Sequence, residues 1–160
     1  TLVSRNNLAG AYQATGDLNR AIPLYEATLA RCEQTLGPTH ANTLVTRDNL
    51  AGAYEAAGDL DRAVALYEAT LARCEQTLGP THPDTLVTRD NLAGAYEAAG
   101  DLDRAVALYE ATLARCEQTL GPTHPDTLTS RTILAHVQAA AQISTAIADA
   151  LTEANRQPPS

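Results

Sequence analysis

Apolar residues fall in steps of three and four along two kinds of segment. From Leu60 they occur at Leu60, Val64, Tyr67, Leu71, Cys74 and Leu78, which draws one stripe down an amphipathic helix. Asp59 stands just before that stripe as an N-cap, and Gly79 followed by Pro80 ends it. The next segment opens at Pro83, a residue favoured at a first helical position. It carries Leu86, Leu92, Ala93, Tyr96 and Ala99 on one side and stops at Gly100. The pattern predicts pairs of antiparallel helices of about four to five turns, joined by a short Ala-Gly-Asp turn.

The pair is then copied. Residues 43–84 recur unchanged at 85–126, residues 1–42 differ from them at nine positions, and a fourth copy starts at Thr127 and decays. A period of 42 residues predicts an α-solenoid, in which each unit packs only on its neighbours. The expected organisation is three tandem repeats (1–42, 43–84, 85–126) followed by a degenerate helical cap and tail over 127–160. The tail keeps Thr127, Leu128, Arg131, Leu134 and Ala135 but puts Gln138 in place of the first tyrosine, and no Gly-Asp turn follows. Gln138, Gln142, Asp149, Glu153 and Arg156 supply the polar outer side an end unit needs, ahead of a loose Pro-Pro-Ser end. A buried leucine of the middle repeat, Leu71, is expected to matter more than Leu29 of repeat one, which has one free side.

Net charge is −8, from 19 acidic residues against 11 arginines and no lysine. That field disfavours nucleic acid and anionic membrane surfaces as partners. The longest charge-free run, Thr132 to Ala148, contains His136, Gln138 and Gln142 and does not read as a membrane span. No basic-then-apolar leader is visible, and a chain without Met that opens in mid-pattern is expected to be part of a longer one. Cys32, Cys74 and Cys116 hold equivalent places in successive repeats. Stacked helices put such positions about 8–10 Å apart, too far for a disulfide. Buried, reduced thiols are expected, and with them a cytoplasmic location.

Periodicity also argues against chemistry. His40, His82 and His124 sit in equivalent loops, where they diverge instead of converging on one ion, so turn or cap roles are expected and no metal. Acidic pairs such as Asp59 and Asp61 recur at helix starts, where the dipole favours them. A catalytic site needs one asymmetric constellation, and no Gly-rich phosphate loop occurs. No enzymatic activity and no cofactor are expected.

Leu50-Ala51-x-x-Tyr54, then Gly58, then Ala63-x-x-x-Tyr67 resembles the tetratricopeptide pattern of small-beside-large contacts between helices. Together with Asn49, Leu66 and Leu78-Gly79-Pro80-x-His82-Pro83, the longer period is similar to that of kinesin light chains and their bacterial relatives. The resemblance covers residues 1–126 and implies a right-handed all-α solenoid that acts as a protein–protein interaction scaffold. It also implies a further domain elsewhere in the parent chain. Two departures stand out. Arg47 and Arg89 occupy positions that are usually large and apolar, and are expected to bury their stems while pairing with a carboxylate of an adjoining repeat. Arg131 holds the same place. Pro23 lies inside a second helix, where it is expected to loosen or kink the first turns.

In such arrays the outer side of each first helix lines a concave groove. Here that side is read as Asn6, Asn7 and Gln13 in repeat one, Val45, Asp48, Asn49, Gly52 and Glu55 in repeat two, and Asp90, Asn91, Gly94 and Glu97 in repeat three. Of these only the asparagine row (Asn7, Asn49, Asn91) matches the family's peptide-binding positions; the basic carboxylate clamp has Val45, Asp48 and Gly52 instead. An acidic rim favours a basic or polar peptide or protein partner. Glycine inside a helix costs about 1 kcal/mol relative to alanine, so Gly10, Gly52 and Gly94 mark either a close backbone approach or a tolerated residue copied by duplication. The alternative function is a structural spacer or self-associating module that stacks end to end.

Overall fold

Each helix start carries its own cap. In the computed structural model, which describes residues 1–156, Thr1 accepts from the Ser4 N–H, Asp17 from Arg20 and Asp59 from Arg62. Nδ1 of His40 accepts from the Asn42 N–H and that of His82 from Asp84, each at 3.2 Å. The helices so begun are α1 (Leu2–Ala14), α2 (Leu18–Leu36), α3 (Ala41–Ala56), α4 (Leu60–Thr77) and α5 (Pro83–Ala98). Asp101 caps α6 (Leu102–Thr119), and His124 accepts from the Asp126 N–H near the start of α7 (Pro125–Arg156). Gly58 and Gly79, at φ +77° and +98°, make the two kinds of turn that β-carbon-bearing residues disfavour. Among the described residues there is no strand, and the architecture is an all-α repeat fold. The Pro-Pro-Ser end lies outside those residues.

The chain divides into two compact units, Thr1–Ala99 and a second beginning at Gly100. In the first, α1 packs on α2, α2 on α3, α3 on α4 and α4 on α5, while the first helices α1, α3 and α5 also touch in sequence. Its core centres on Ala21, Tyr25, Thr28 and Cys32 of α2 and on Ala63, Tyr67, Thr70 and Cys74 of α4. The stripe is rotated from the one the leucines suggest: Leu60, Val64 and Leu78 are only partly covered, whereas Ala63 and Thr70 are buried. Thr70 can be buried because its hydroxyl donates to the Leu66 carbonyl at 2.7 Å. Ala99, expected on the inward side, is exposed at its helix end, and Ala95 takes that side instead.

Two bonds stitch neighbouring repeats. Arg47, 3% exposed, pairs with Glu33 and lies 3.5 Å from the Thr70 hydroxyl; Arg89 pairs with Glu75 in the same way. Tyr54 donates to Glu26 and Tyr96 to Glu68, both at 2.6 Å. Arg47 and Arg89 therefore behave as the sequence suggests, whereas Arg131, which holds the same place, is exposed. Two other expectations change. Leu29 and Leu71 are equally buried at 8%, because α2 is covered by both α1 and α3. The free side belongs to α1, where Leu8 is 48% exposed against 3% for Leu50. And α2 runs unbroken through Pro23, whose exposed ring removes one backbone donor without entering the core.

In the second unit α7 packs on α6 as a single helix of 32 residues. Arg131 pairs with Glu117 at 2.6 Å, and Gln138 donates to Glu110 at 3.2 Å where the other repeats use a tyrosine. Beyond Ala141 every described residue of α7 is exposed, Ile143, Ile147 and Leu151 included. The three thiols are free and buried; burial raises that of Cys74 above the usual range.

Candidate functional site: the shared face of the first helices

Residues spaced by three, four and seven on α1, α3 and α5 share one face of the first unit, and the repeat aligns them in rows across it. One row is apolar: Val3, Val45 and Val87 are 53%, 52% and 51% exposed. The next is polar, with Asn6, Asp48 and Asp90, followed by the Asn7, Asn49 and Asn91 row. Further along come Gly10, Gly52 and Gly94, then Gln13, Glu55 and Glu97.

The face is less open than an exposed acidic rim. Asp48, Asn49, Gly52 and Glu55 are part-buried, as are Asn6, Gln13, Asn91 and Glu97, while Asn7, Asp90 and Gly94 are exposed. Asn91 donates to the Asp48 carboxylate across the α3–α5 contact, so part of its hydrogen-bonding capacity is used inside the protein. Desolvation raises the Asp48 carboxyl to about 6, opposed by that hydrogen bond and reinforced by the Asp84 charge. Burial also raises Glu55. Tyr67 is pushed well above its ordinary range, chiefly by burial and then by the Glu55 and Asp48 charges beside it. Gln13 accepts from the Tyr25 hydroxyl at 3.1 Å.

Two oxygens on this face have no partner. Oδ1 of Asn6 and Oδ1 of Asp48 are both buried and unbonded, one repeat apart in equivalent positions. A pocket of about 150 Å³ opens between α1 and α3, walled by Leu2, Val3, Asn6, Asn7, Asn42 and Val45 with Cys32 and Thr46 beneath. Leu2, Asn42 and Thr46 escaped the helical-wheel reading. Val3 was recoverable, since it lies one period before Val45. Helix packing bears on Gly10, where a Cβ would meet the Tyr25 hydroxyl at 3.3 Å, but not on the other two: a Cβ on Gly94 would meet nothing within 4 Å, and one on Gly52 only Gln13 Nε2 at 3.8 Å. Among the described residues, no three His, Cys, Asp or Glu side chains lie together as metal ligands would.

The tetratricopeptide repeat family model matches residues 1–72, 48–118 and 91–154, overlapping across almost the whole chain. The chain belongs to the tetratricopeptide repeat family. Among solved structures, this tetratricopeptide chain is similar to a putative kinesin light chain with nearly identical TPR-like repeats from Podosopora anserina. That match has 37% identity and a TM-score of 0.67, and covers 91% of this chain and 70% of the other. BtubC (BKLC) from P. vanneervenii shares the fold at 23% identity and a TM-score of 0.68, over 99% of this chain and 66% of its own. The TPR domain of Arabidopsis FLU shares it at 18% identity and a TM-score of 0.59, over 73% and 95%. The chain thus spans about two thirds of the length of the first two. No curated protein sequence matches it. Tetratricopeptide repeats are in general protein-interaction scaffolds and non-enzymatic. No helix among the described residues is long and apolar enough to cross a membrane.

Proposed function

We propose that this tetratricopeptide chain is an interaction scaffold that holds an extended polypeptide segment, basic or polar in character, across the α1–α3–α5 face. The observation that carries the reading is the polar row of Asn6, Asp48 and Asp90 that the repeat aligns across one face. The exposed valine row beside them offers apolar contact, and Asp48, Asp90, Glu55 and Glu97 select against acidic segments. Affinity in the micromolar range suits such a contact. Because Asp48 and Glu55 are part-buried, salt weakens binding less than it would at an exposed rim. Buried reduced thiols fit a cytoplasmic setting.

The test is a screen of basic and acidic peptide pools against the wild type and an Asp48→Ala, Asp90→Ala double variant. Basic peptides should bind and the double variant should lose that binding. Preference for acidic peptides, or an unaffected double variant, overturns the reading.

One observation favours a second reading, association through the repeat ends. Leu8 is 48% exposed where its counterparts Leu50 and Leu92 are 3% and 2%. Mass that rises with concentration in the wild type and not in Leu8→Ser is the expected result; a concentration-independent monomer removes this reading.

A further inference from the structure

We propose that the shared face is directional: its α1–α3 end takes an uncharged, ring-sized side chain and its α3–α5 end takes a lysine or arginine of the same segment. This deepens the scaffold reading and rests on it. The nine differences between repeat one and the later repeats are not random in chemistry. Four of them exchange a carboxylate for its own amide: Asn6 for Asp48, Gln13 for Glu55, Asn19 for Asp61 and Asn42 for Asp84. Three of the four amides, Asn6, Gln13 and Asn42, lie on the face or in the wall of the α1–α3 pocket.

That pocket has no charged residue in its lining. Its volume, about 150 Å³, is comparable to an engineered cavity that accepts benzene. Leu2, Val3 and Val45 offer apolar walls, and the amide side chains of Asn6, Asn7 and Asn42 line the same pocket. A tyrosine side chain suits this lining, with its ring against the aliphatic walls and its hydroxyl meeting the amides. An ammonium group there would lose its hydration with no carboxylate to receive it. One repeat along, the equivalent residue Asp48 is a carboxylate, with the exposed Asp90 beyond it. It favours a cation, which forms the stronger, charge-assisted bond. Neighbouring first helices lie about 8–10 Å apart, the advance of three residues of an extended chain at about 3.1 Å each. The fitting segment therefore reads Tyr-x-x-Lys or Tyr-x-x-Arg.

The experiment compares three peptides of one backbone, Tyr-x-x-Lys, Lys-x-x-Lys and Tyr-x-x-Tyr, by fluorescence anisotropy on the intact chain. The wild type should bind the first at least about fivefold more tightly than either of the others, the effect of roughly one hydrogen bond. Asn6→Asp installs the residue type already present at that position in repeats two and three, and should reverse the order of the first two peptides. Asp48→Asn should favour Tyr-x-x-Tyr over Tyr-x-x-Lys, and stands in should Asn6→Asp lose its helical circular dichroism. If Lys-x-x-Lys binds the wild type as well as Tyr-x-x-Lys, or the variants leave the order unchanged, directionality falls while the scaffold reading stands. If no peptide binds, both fall.

Discussion

Asp48→Asn should make the protein more stable at neutral pH. The Asp48 carboxyl is raised from 3.8 to about 6, principally because α3 and α5 remove it from water. A displacement of about two units corresponds to roughly 3 kcal/mol at 1.36 kcal/mol per unit. Asp48 keeps partial contact with solvent, so screening reduces this to about 1–2 kcal/mol. The sign follows from linkage. A carboxyl whose folded value exceeds its unfolded value carries no penalty below about pH 4, acquires it as pH rises, and carries it fully above about pH 6. Asparagine cannot ionise, and repeat one already places an amide at the equivalent Asn6, so the side chain is compatible with this packing. Urea melts of wild type and Asp48→Asn, followed by far-ultraviolet circular dichroism, should coincide near pH 4 and separate by about 1–2 kcal/mol above pH 6, the variant being the more stable. The other carboxylates titrate in both proteins and cancel in the difference. A destabilised variant at neutral pH, or a difference that does not change with pH, would refute the burial argument.

Three further outcomes follow from the packing. Leu50→Ala should cost about 2–5 kcal/mol and Leu8→Ala well under that, because Leu50 is enclosed and Leu8 is not; equal losses in paired denaturant melts would contradict the stacking. Glu33→Gln leaves the buried Arg47 without its counter-charge and should cost about 1–3 kcal/mol, whereas Glu117→Gln, facing the exposed Arg131, should cost at most about 1 kcal/mol; the same melts compare them, and a costlier Glu117 change would show that burial does not govern these pairs. Cys74 should resist alkylation in native buffer and react only on unfolding, so rapid native labelling by a thiol reagent would put it on the wrong side of α4.

The 42-residue period, its helical stripes, the Asp caps, the Gly stops and the proline at the start of α5 were all written locally in the chain. They rest on hydrogen bonds and torsions within a few residues, which a single sequence exposes. From these the helix pairs and the buried thiols follow, and so does the need of Arg47 and Arg89 for a carboxylate, though not which one. Contacts across longer separations were not legible. Tyr54 reaches back 28 residues to Glu26 and Arg47 reaches back 14 to Glu33, and such choices depend on how one helix lies against the next. The helical wheel put Asp48 and Glu55 on an open rim because it treats α3 as a lone cylinder. Packing of α3 among its neighbours half-buries them, raises their carboxyls and leaves Asp48 Oδ1 unbonded. Whether the fourth copy folds as one helix or two was likewise undecided in its degenerate letters. Without a Gly-Asp turn after Gln138, nothing halts α7, and it continues past the edge of α6 into solvent as far as Arg156. Local chemistry determines where helices start and stop. Which of their faces remain free is decided by the neighbours that cover them.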